Sequence, residues 1–321
     1  MLNPLRLYAL LFLSLACTFA IHAKPKTFKV FLLAGQSNMQ GQGVVDMDHP
    51  KYYNSGKGNL VNTMADPSNA CAYKHLKDAD GNWVVRDDAF IRYRNKQGVM
   101  AGGVSIGFTG YGSMKSRHHI GPELQIGHQL GNHYDEPVLL IKTAWGGKSL
   151  QKDFRPPSAG GEVGEYYTKM FAEVDEGLNS TCKEFPELSG LTPEWEGFVW
   201  FQGWNDMINK EATVEYEQNL IHLIHDVRKQ LKTPNLPVVV GELGNGGDKV
   251  GQNMLTFREQ QRKACEREDW KGTVRFVKTS QFARPKEESP NVGHGHHWFG
   301  NAESYFLIGD ALGAAMVEML K

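Results

Sequence analysis

Five short, mainly apolar runs divide the chain. They lack the strict alternation of a half-exposed strand, and continuous apolar runs of this length are typical of parallel strands buried on both faces. We therefore predict five strands. They lie at residues 28–34, 138–142, 198–201, 236–240 and 274–277.

Between and after these runs, apolar residues recur every three or four positions, as on the buried face of a helix. Residues 121–123, Gly-Pro-Glu, predict one helix start, with proline in the first turn. Three longer stripes lie at Tyr167, Met170, Phe171, Val174 and Leu178; at Leu220, Ile221, Ile224, Val227 and Leu231; and at Tyr305, Ile308, Leu312, Ala315, Met316 and Met319. The alternation predicts one α/β domain over residues 24–321, a three-layer α/β/α sandwich around a central, mostly parallel five-stranded sheet.

Residues 44–118 interrupt this alternation with weak periodicity. Residues 78–83, Asp-Ala-Asp-Gly-Asn-Trp, predict a hairpin turn, and residues 83–93 alternate enough for a strand or two. A loop of this length without structure is unusual in a compact domain. We interpret the segment as an insertion beside the mouth of the site, where it shapes substrate access.

The N-terminus has the pattern of a signal peptide over residues 1–23. Arg6 gives a positive start, an apolar stretch follows over residues 7–20, and Ala23 suits cleavage. The apolar stretch is short for a membrane span, although an uncleaved anchor is the alternative. We expect an exported protein, periplasmic or secreted, with no membrane contact after cleavage.

The amino-acid composition indicates which classes of binding partner to expect. The 321 residues are 40% hydrophobic and 22% charged, which is typical of a globular protein. The net charge is −1 and basic residues form no long run, so we expect no nucleic-acid partner. After cleavage three cysteines remain, Cys71, Cys182 and Cys265, and the sequence does not determine their pairing. No Cys-x-x-Cys motif is present, so neither a zinc site nor a cysteine nucleophile is indicated.

The first apolar run ends at Gly35, which permits a sharp turn, and Ser37 follows. Ligands of open α/β sheets bind at the carboxyl ends of the strands. A serine there is a nucleophile if a base reaches it. The alternative is an ordinary strand-to-helix turn in which Ser37 caps the helix.

Three predicted strands are followed by small, polar, glycine-containing segments, residues 35–38, 145–149 and 202–206. A fourth segment, residues 294–298 (His-Gly-His-His-Trp), precedes the last helix. A parallel sheet brings such strand ends to one edge. Together they supply a nucleophile, backbone amide donors, an asparagine donor and a histidine base, which are the groups that acyl transfer needs.

These segments resemble a known family. Gly-Gln-Ser-Asn-Met at residues 35–39 is similar to the first block of the sialic-acid-acetylesterase-like carbohydrate esterases of the SGNH hydrolase superfamily. Later blocks are matched in order by Gly-Pro-Glu at 121–123, Gly146-Gly147, Trp-Phe-Gln-Gly-Trp-Asn-Asp at 200–206 and His-Trp-Phe-Gly-Asn-Ala at 297–302. The resemblance spans residues 28–320.

The resemblance implies roles for individual residues. Ser37 is the expected nucleophile, and His297 the base that takes its proton and returns it to the leaving sugar hydroxyl. The expected oxyanion donors are the amides of Ser37 and of Gly146 or Gly147 and the side chain of Asn205, with Gln202 as the alternative side-chain donor. The expected substrate-binding residues are Gln36, Asn38, Trp145, Trp204 and Trp298, the three tryptophans as platforms for sugar rings or, alternatively, as loop packing.

Two positions depart from the family pattern. His294 stands where an aspartate usually orients the catalytic histidine, and Trp204 stands where glutamate is common. A neutral histidine cannot stabilise the imidazolium as an aspartate does. A carboxylate from elsewhere, first Asp206 and then Glu242 or Glu303, or a backbone carbonyl would have to take its place.

The cluster of His294, His296 and His297 also raises the question of a metal. No Cys, Asp or Glu completes a recognisable ligand spacing around it, so we expect neither metal nor cofactor. The prediction is an exported serine esterase that removes acetyl groups from a carbohydrate, of the acetylxylan or sialate type, through an acetyl-Ser37 intermediate. The alternatives are a carbohydrate-binding protein derived from such an esterase, and a hydrolase of the same fold acting on lipid or aryl esters.

Overall fold

The computed structural model describes residues 26–321, so the predicted signal peptide lies outside the described residues. The described chain forms these strands: β1 Thr27–Gly35, β2 Gly43–Val44, β3 Ala89–Asn95, β4 Gly98–Gly103, β5 His119–Ile120, β6 Val138–Ala144, β7 Thr192–Phe201, β8 Val238–Gly241 and β9 Val274–Val277. Its α-helices are α1 Ser37–Gln40, α2 Leu60–Ala65, α3 Ala70–Tyr73, α4 Glu123–His133, α5 Glu165–Glu184, α6 Trp204–Met207, α7 Lys210–Gln230, α8 Gln252–Cys265 and α9 Ala302–Leu320.

The central sheet has seven strands in the order β4-β3-β6-β1-β7-β8-β9. All neighbours are parallel except β3 and β4, which are antiparallel. The α/β sandwich and the five predicted strands are confirmed, the latter as β1, β6, β7, β8 and β9. The number five is wrong, because β3 and β4 extend the sheet beyond β6. β4 is a partly exposed, glycine-rich edge strand, so it lacks the apolar run that marks a central strand.

Strand β1 lies in the middle of the sheet and shows how the layers form. Alternate side chains of a strand point to opposite faces. Val30 and Leu32 join the core formed with α5, α7 and α8. Phe31 and Leu33 join the core formed with α4 and α9. Burial on both faces explains the continuous apolar run from which this strand was predicted.

Helices α4, α5, α7 and α9 occupy the predicted positions, whereas α8 was not predicted. Its buried face carries two polar side chains that break the apolar stripe. Arg258 Nε donates to the carbonyl of Leu243 (2.8 Å), and Gln261 Nε2 donates to the carbonyl of Gln202 (3.2 Å). These side chains support the backbone just past β7 and β8, which a hydrophobicity pattern does not register.

The segment 44–118 is an insertion only in part, since it supplies β3 and β4 to the sheet. Its predicted hairpin turn is confirmed, because the N–H of Asp78 donates to the carbonyl of Asn82 (3.0 Å) and the Asp78 carboxylate accepts from the N–H of Asp80 (3.0 Å). Elsewhere within residues 26–321, Cys71, Cys182 and Cys265 are all free thiols. No helix in that range combines the length and apolarity that a bilayer crossing requires.

Candidate active site

The carboxyl ends of β1 and β7 approach so closely that only glycine fits at residue 35. A Cβ on Gly35 would lie 2.1 Å from the carbonyl oxygen of Phe201, and its φ is +156°. The chain turns there, Gln36 is the N-cap residue, and α1 begins at Ser37. Ser37 therefore stands at the carboxyl edge of the sheet, with 7% of its surface exposed.

A cavity of 860 Å³ opens at this edge of the sheet. Its wall brings together Ser37, His297, Asn205, Gly146 and Gly147. Within residues 26–321, neither glycine donates its N–H to another backbone group. The first N–H groups of a helix also lack intrahelical partners, which includes the N–H of the serine. The cavity thus presents a hydroxyl, an imidazole and several unused donors to a bound molecule.

The histidine-rich segment before α9 is tied to the serine segment by buried amides. Asn38 Nδ2 and Asn245 Nδ2 both donate to the carbonyl of His296, at 3.2 and 2.9 Å. The Tyr305 hydroxyl donates to Asn38 Oδ1 (2.9 Å). Asn38 was predicted to bind substrate, but it is buried and lies outside the cavity wall. Its role here is to fix the histidines relative to the neighbouring serine.

Trp298 is placed in the core rather than in the cavity. It packs in the hydrophobic cluster that includes α9, and its φ of +53° is the left-handed conformation, as is that of Phe299. Non-glycine residues adopt this conformation at a cost, and such strain clusters near functional sites. The prediction of Trp298 as a sugar platform is corrected, because its ring is enclosed by protein.

His297 is held in its neutral form. Burial and the neighbouring imidazoles of His296 and His294 lower the pKa of His297 to about 4. The ring centroids of His296 and His297 are 4.0 Å apart. His297 Nδ1 is buried without a hydrogen-bond partner among residues 26–321, which leaves Nε2 as the nitrogen available to the cavity. A neutral imidazole at pH 7 can accept a proton.

Asp206 does not supply the missing carboxylate. It is fully buried, and its oxygens accept from the N–H groups of Leu150 (2.8 Å) and Gln151 (2.9 Å) and from Gln202 Nε2 (2.6 Å). Burial raises the pKa of Asp206 to about 6, opposed by these hydrogen bonds. The expectation that it orients His297 is corrected: it anchors the loop after β6 to the start of α6.

The other two carboxylates are also engaged elsewhere. Glu242 Oε2 accepts from the N–H groups of Thr279 (2.8 Å) and Ser280 (2.7 Å). Glu303 accepts from Arg284 Nε (2.6 Å). In the described part of the chain, neither a carboxylate nor a backbone carbonyl bonds to Nδ1 of the candidate base. Among residues 26–321, the arrangement is a serine and a histidine without a third, orienting member.

Gln202, the alternative oxyanion donor, is used for structure. Its Nε2 donates to the carbonyl of Lys148 (2.9 Å) as well as to Asp206, and its Oε1 accepts from the Tyr216 hydroxyl (2.9 Å). It lies outside the cavity wall, whereas Asn205 is part of it. Asn205 is therefore the side-chain donor that the fold places in the cavity.

Two of the three predicted tryptophans do line the cavity. Trp145 packs edge-on against Tyr166 with ring centroids 5.2 Å apart. Trp204 lies 5.5 Å from the His296 ring, centroid to centroid. Both present aromatic surface to the cavity, as a sugar ring would require. Gln36 also lies in the wall, and its Nε2 donates to Asn205 Oδ1 (3.2 Å).

The sequence did not reveal a second wall of the cavity, made by α5 and by the turn between β3 and β4. Its charged and polar members are Arg94, Asn95, Lys96, Gln97, Tyr166, Lys169 and Glu173. Glu173 is 4% exposed, and neither carboxylate oxygen has a hydrogen-bond partner within residues 26–321. Burial raises the pKa of Glu173 to about 7. In the sequence, the only sign of this wall was Glu173, which lies next to Val174 of the predicted apolar stripe.

Among residues 26–321, no group of three or more His, Cys, Asp or Glu side chains is arranged to hold a metal ion. His296 and His297 line the cavity, and the ring of His294 lies 5.7 and 6.1 Å from theirs, centroid to centroid. The chemistry that the described residues offer is nucleophilic attack with proton transfer to an imidazole.

The chain is similar to known carbohydrate esterases. The family model of carbohydrate esterases, sialic acid-specific acetylesterases, matches residues 27–317. A probable carbohydrate esterase from Arabidopsis thaliana is 23% identical over 237 residues, which are 72% of this chain and 75% of that protein.

A solved structure with a TM-score above 0.5 shares the fold. A protein from Arabidopsis thaliana matches with a TM-score of 0.56 at 17% identity, covering 92% of this chain and 98% of that one. A carbohydrate acetylesterase from Xanthomonas citri matches with a TM-score of 0.47 at 14% identity, covering 89% of this chain and 56% of that one. Since the family model covers nearly the whole described chain, this protein belongs to the family of sialic acid-specific acetylesterases among the carbohydrate esterases.

Proposed function

We propose that this protein is an exported carbohydrate O-acetylesterase that acts through an acetyl-Ser37 intermediate. The observation that carries the proposal is the meeting of Ser37, a neutral His297 and the donor groups of Gly146, Gly147 and Asn205 in one cavity at the carboxyl edge of the sheet. Export rests on the signal-peptide pattern of residues 1–23.

The reaction follows from the roles of these groups. The Ser37 hydroxyl oxygen bonds to the acetyl carbonyl carbon while its proton passes to His297 Nε2. The carbonyl oxygen becomes an oxyanion that accepts from the amides and from Asn205 Nδ2; losing one such donor costs ~2.7–4 kcal/mol of barrier. The bond from carbon to the sugar oxygen then breaks, and His297 returns its proton to that oxygen. Water attacks the acetyl-serine by the same route, releasing acetate and restoring the serine.

The charges of the cavity wall favour an acidic acetylated sugar over a neutral one. Of the four basic side chains in the wall, Arg94 pairs with Glu176 and Lys148 with Asp153 (3.2 Å). Lys96 and Lys169 form no ion pair among residues 26–321, and the acid in the wall is the buried Glu173. Excess positive charge in a cleft attracts an anionic substrate. Of the acetylxylan and sialate types, we therefore favour a sialate-type substrate, in accord with the name of the family.

The test is acetate release from O-acetylated sialic acid, acetylated xylan and p-nitrophenyl acetate. Ser37→Ala should abolish release from every substrate that the unmodified protein hydrolyses. Ser105→Ala is the matched control, because Ser105 is a buried serine outside the cavity whose hydroxyl has no partner within residues 26–321. Full activity in Ser37→Ala would refute the acyl-serine mechanism.

The absence of an orienting carboxylate at His297 among the described residues favours one alternative, a carbohydrate-binding protein that has lost esterase activity. Calorimetric binding of the acetylated sugar without acetate release, in folded protein, would support it. Hydrolysis of long-chain lipid or aryl esters in preference to sugar acetates would instead indicate a different esterase of this fold.

A further inference from the structure

The hydrogen bonds of Gln36 fix which way its amide group faces. Its Oε1 accepts from the backbone N–H of Gly203 (3.1 Å) and of Asn205 (3.4 Å). Backbone N–H groups can only donate, so the atom that faces them has to be the oxygen. Gln36 is 2% exposed, which leaves it little freedom to choose other partners.

This orientation determines the orientation of the next amide. With Oε1 occupied, Gln36 Nε2 faces the Asn205 side chain at 3.2 Å. The NH₂ group of Gln36 only donates, so the Asn205 atom opposite it has to be Oδ1. The donor of Asn205, Nδ2, is then turned away from Gln36. Because Asn205 lines the cavity, Nδ2 is the amide atom left for a bound molecule.

We propose that Gln36 is a positioning residue that holds Asn205 with its donor, rather than its acceptor, directed at the developing oxyanion. The inference rests on the proposed function, in which Asn205 stabilises the oxyanion. The alternative orientation of Asn205 would place a carbonyl oxygen against that negative charge. Gln36, predicted from the sequence as a substrate-binding residue, thus acts on the reaction through its neighbour.

Gln36→Glu tests the proposal with nearly unchanged shape. An ionised glutamate still accepts from the two backbone N–H groups, but its second oxygen cannot donate, so Asn205 has to reverse its amide to bond with it. We expect kcat for p-nitrophenyl acetate to fall about 10²–10³-fold with KM little changed, as when an oxyanion donor is lost. Asn205→Ala should produce a loss of the same order.

The double variant provides the decisive comparison. If Gln36 acts only through Asn205, Gln36→Glu should lower kcat by no more than about twofold once Asn205 is already alanine. Losses that multiply, a rise in KM without a fall in kcat, or unchanged kcat in Gln36→Glu would each overturn the proposal. If circular dichroism shows that Gln36→Glu does not fold, the same comparison of single and double variants is made with Gln36→Met, which leaves Asn205 without its partner. Losses in kcat that multiply would again overturn the proposal.

Two further variants separate the causes of a loss. Gln125→Glu places a carboxylate at another buried glutamine, which bonds to His75 (3.1 Å) and lies outside the cavity wall; its kcat should stay within about twofold of the unmodified protein. Ser37→Ala tests the proposed function itself. Loss of activity in Ser37→Ala and Asn205→Ala with none in Gln36→Glu would overturn only the role of Gln36.

Discussion

Glu173 should make the protein less stable as the pH rises. Its carboxylate is 4% exposed and has no hydrogen-bond partner within residues 26–321, so its ionised form is poorly solvated. Burial raises its pKa from 4.5 to about 7. The folded protein therefore holds this proton more tightly than the unfolded chain does. The loss of stability caused by ionising Glu173 is absent below the pKa in the unfolded chain, grows between the two pKa values, and is complete above the pKa in the folded protein.

The size of the effect follows from the two pKa values. Their difference of about 2.5, at ~1.36 kcal/mol per pKa unit, corresponds to a free energy on the order of 3 kcal/mol. Glutamine has nearly the same shape as a protonated glutamate and does not ionise. Glu173→Gln should thus have little effect on the free energy of unfolding near pH 4, and should raise it at pH 8 by on the order of 3 kcal/mol.

Urea denaturation of the variant and the unmodified protein at pH 4, 6 and 8 measures this difference, and other titrating groups cancel in it. Glu176→Gln, on the same helix, is the control, for which we expect the opposite change in the free energy of unfolding. Partial burial opposes ionisation of Glu176, but the charges of Arg92 and Arg94 outweigh it and hold the pKa of Glu176 below its ordinary value. Its glutamine variant should lose stability at neutral pH. A Glu173→Gln effect that is equal at pH 4 and pH 8, or destabilising at pH 8, would refute the reasoning.

Two other predictions concern the buried ion pair of Lys142 and Glu123 and the candidate base. Lys142 Nζ lies 2.7 Å from Glu123 Oε2, and both side chains are fully buried. Lys142→Met should therefore lower the free energy of unfolding by ~3–5 kcal/mol in urea titrations, and adding Glu123→Gln should restore part of the loss. A Lys142→Met variant as stable as the unmodified protein would contradict this. Burial and two neighbouring histidines lower the pKa of His297 to about 4. We therefore expect kcat/KM for p-nitrophenyl acetate to stay constant from pH 8 to pH 6 and to fall only as the pH approaches the pKa of His297. A midpoint at the ordinary imidazole pKa of about 6.5 would show that another group controls the rate.

The features that could be predicted from the sequence depend on local pattern. The central strands were recognisable because burial on both faces requires continuous apolar runs, as in β1. Ser37 and Asn205 could be expected at one edge of the sheet, because parallel strands place their carboxyl ends together. The family blocks then suggested roles for these residues.

The functions of several polar residues depended on contacts between distant segments. Asp206 and Gln202 carry the right groups for the site, yet both bond to the loop after β6 and to each other. Trp298 belongs to the family block, but the backbone turns its ring into the core. A motif specifies which groups are present and leaves open which partner each of them bonds to.

The sequence by itself determined the alternation of strands and helices, the position of Ser37 at a strand end and the family of the protein, because these follow from short-range periodicity and residue order. Only the tertiary structure decided that β3 and β4 complete the sheet, that Glu173 and Lys169 face the cavity, and that Gln36 orients Asn205. Side chains far apart in sequence form hydrogen bonds and share burial only after packing has brought their segments together, so no local pattern records them.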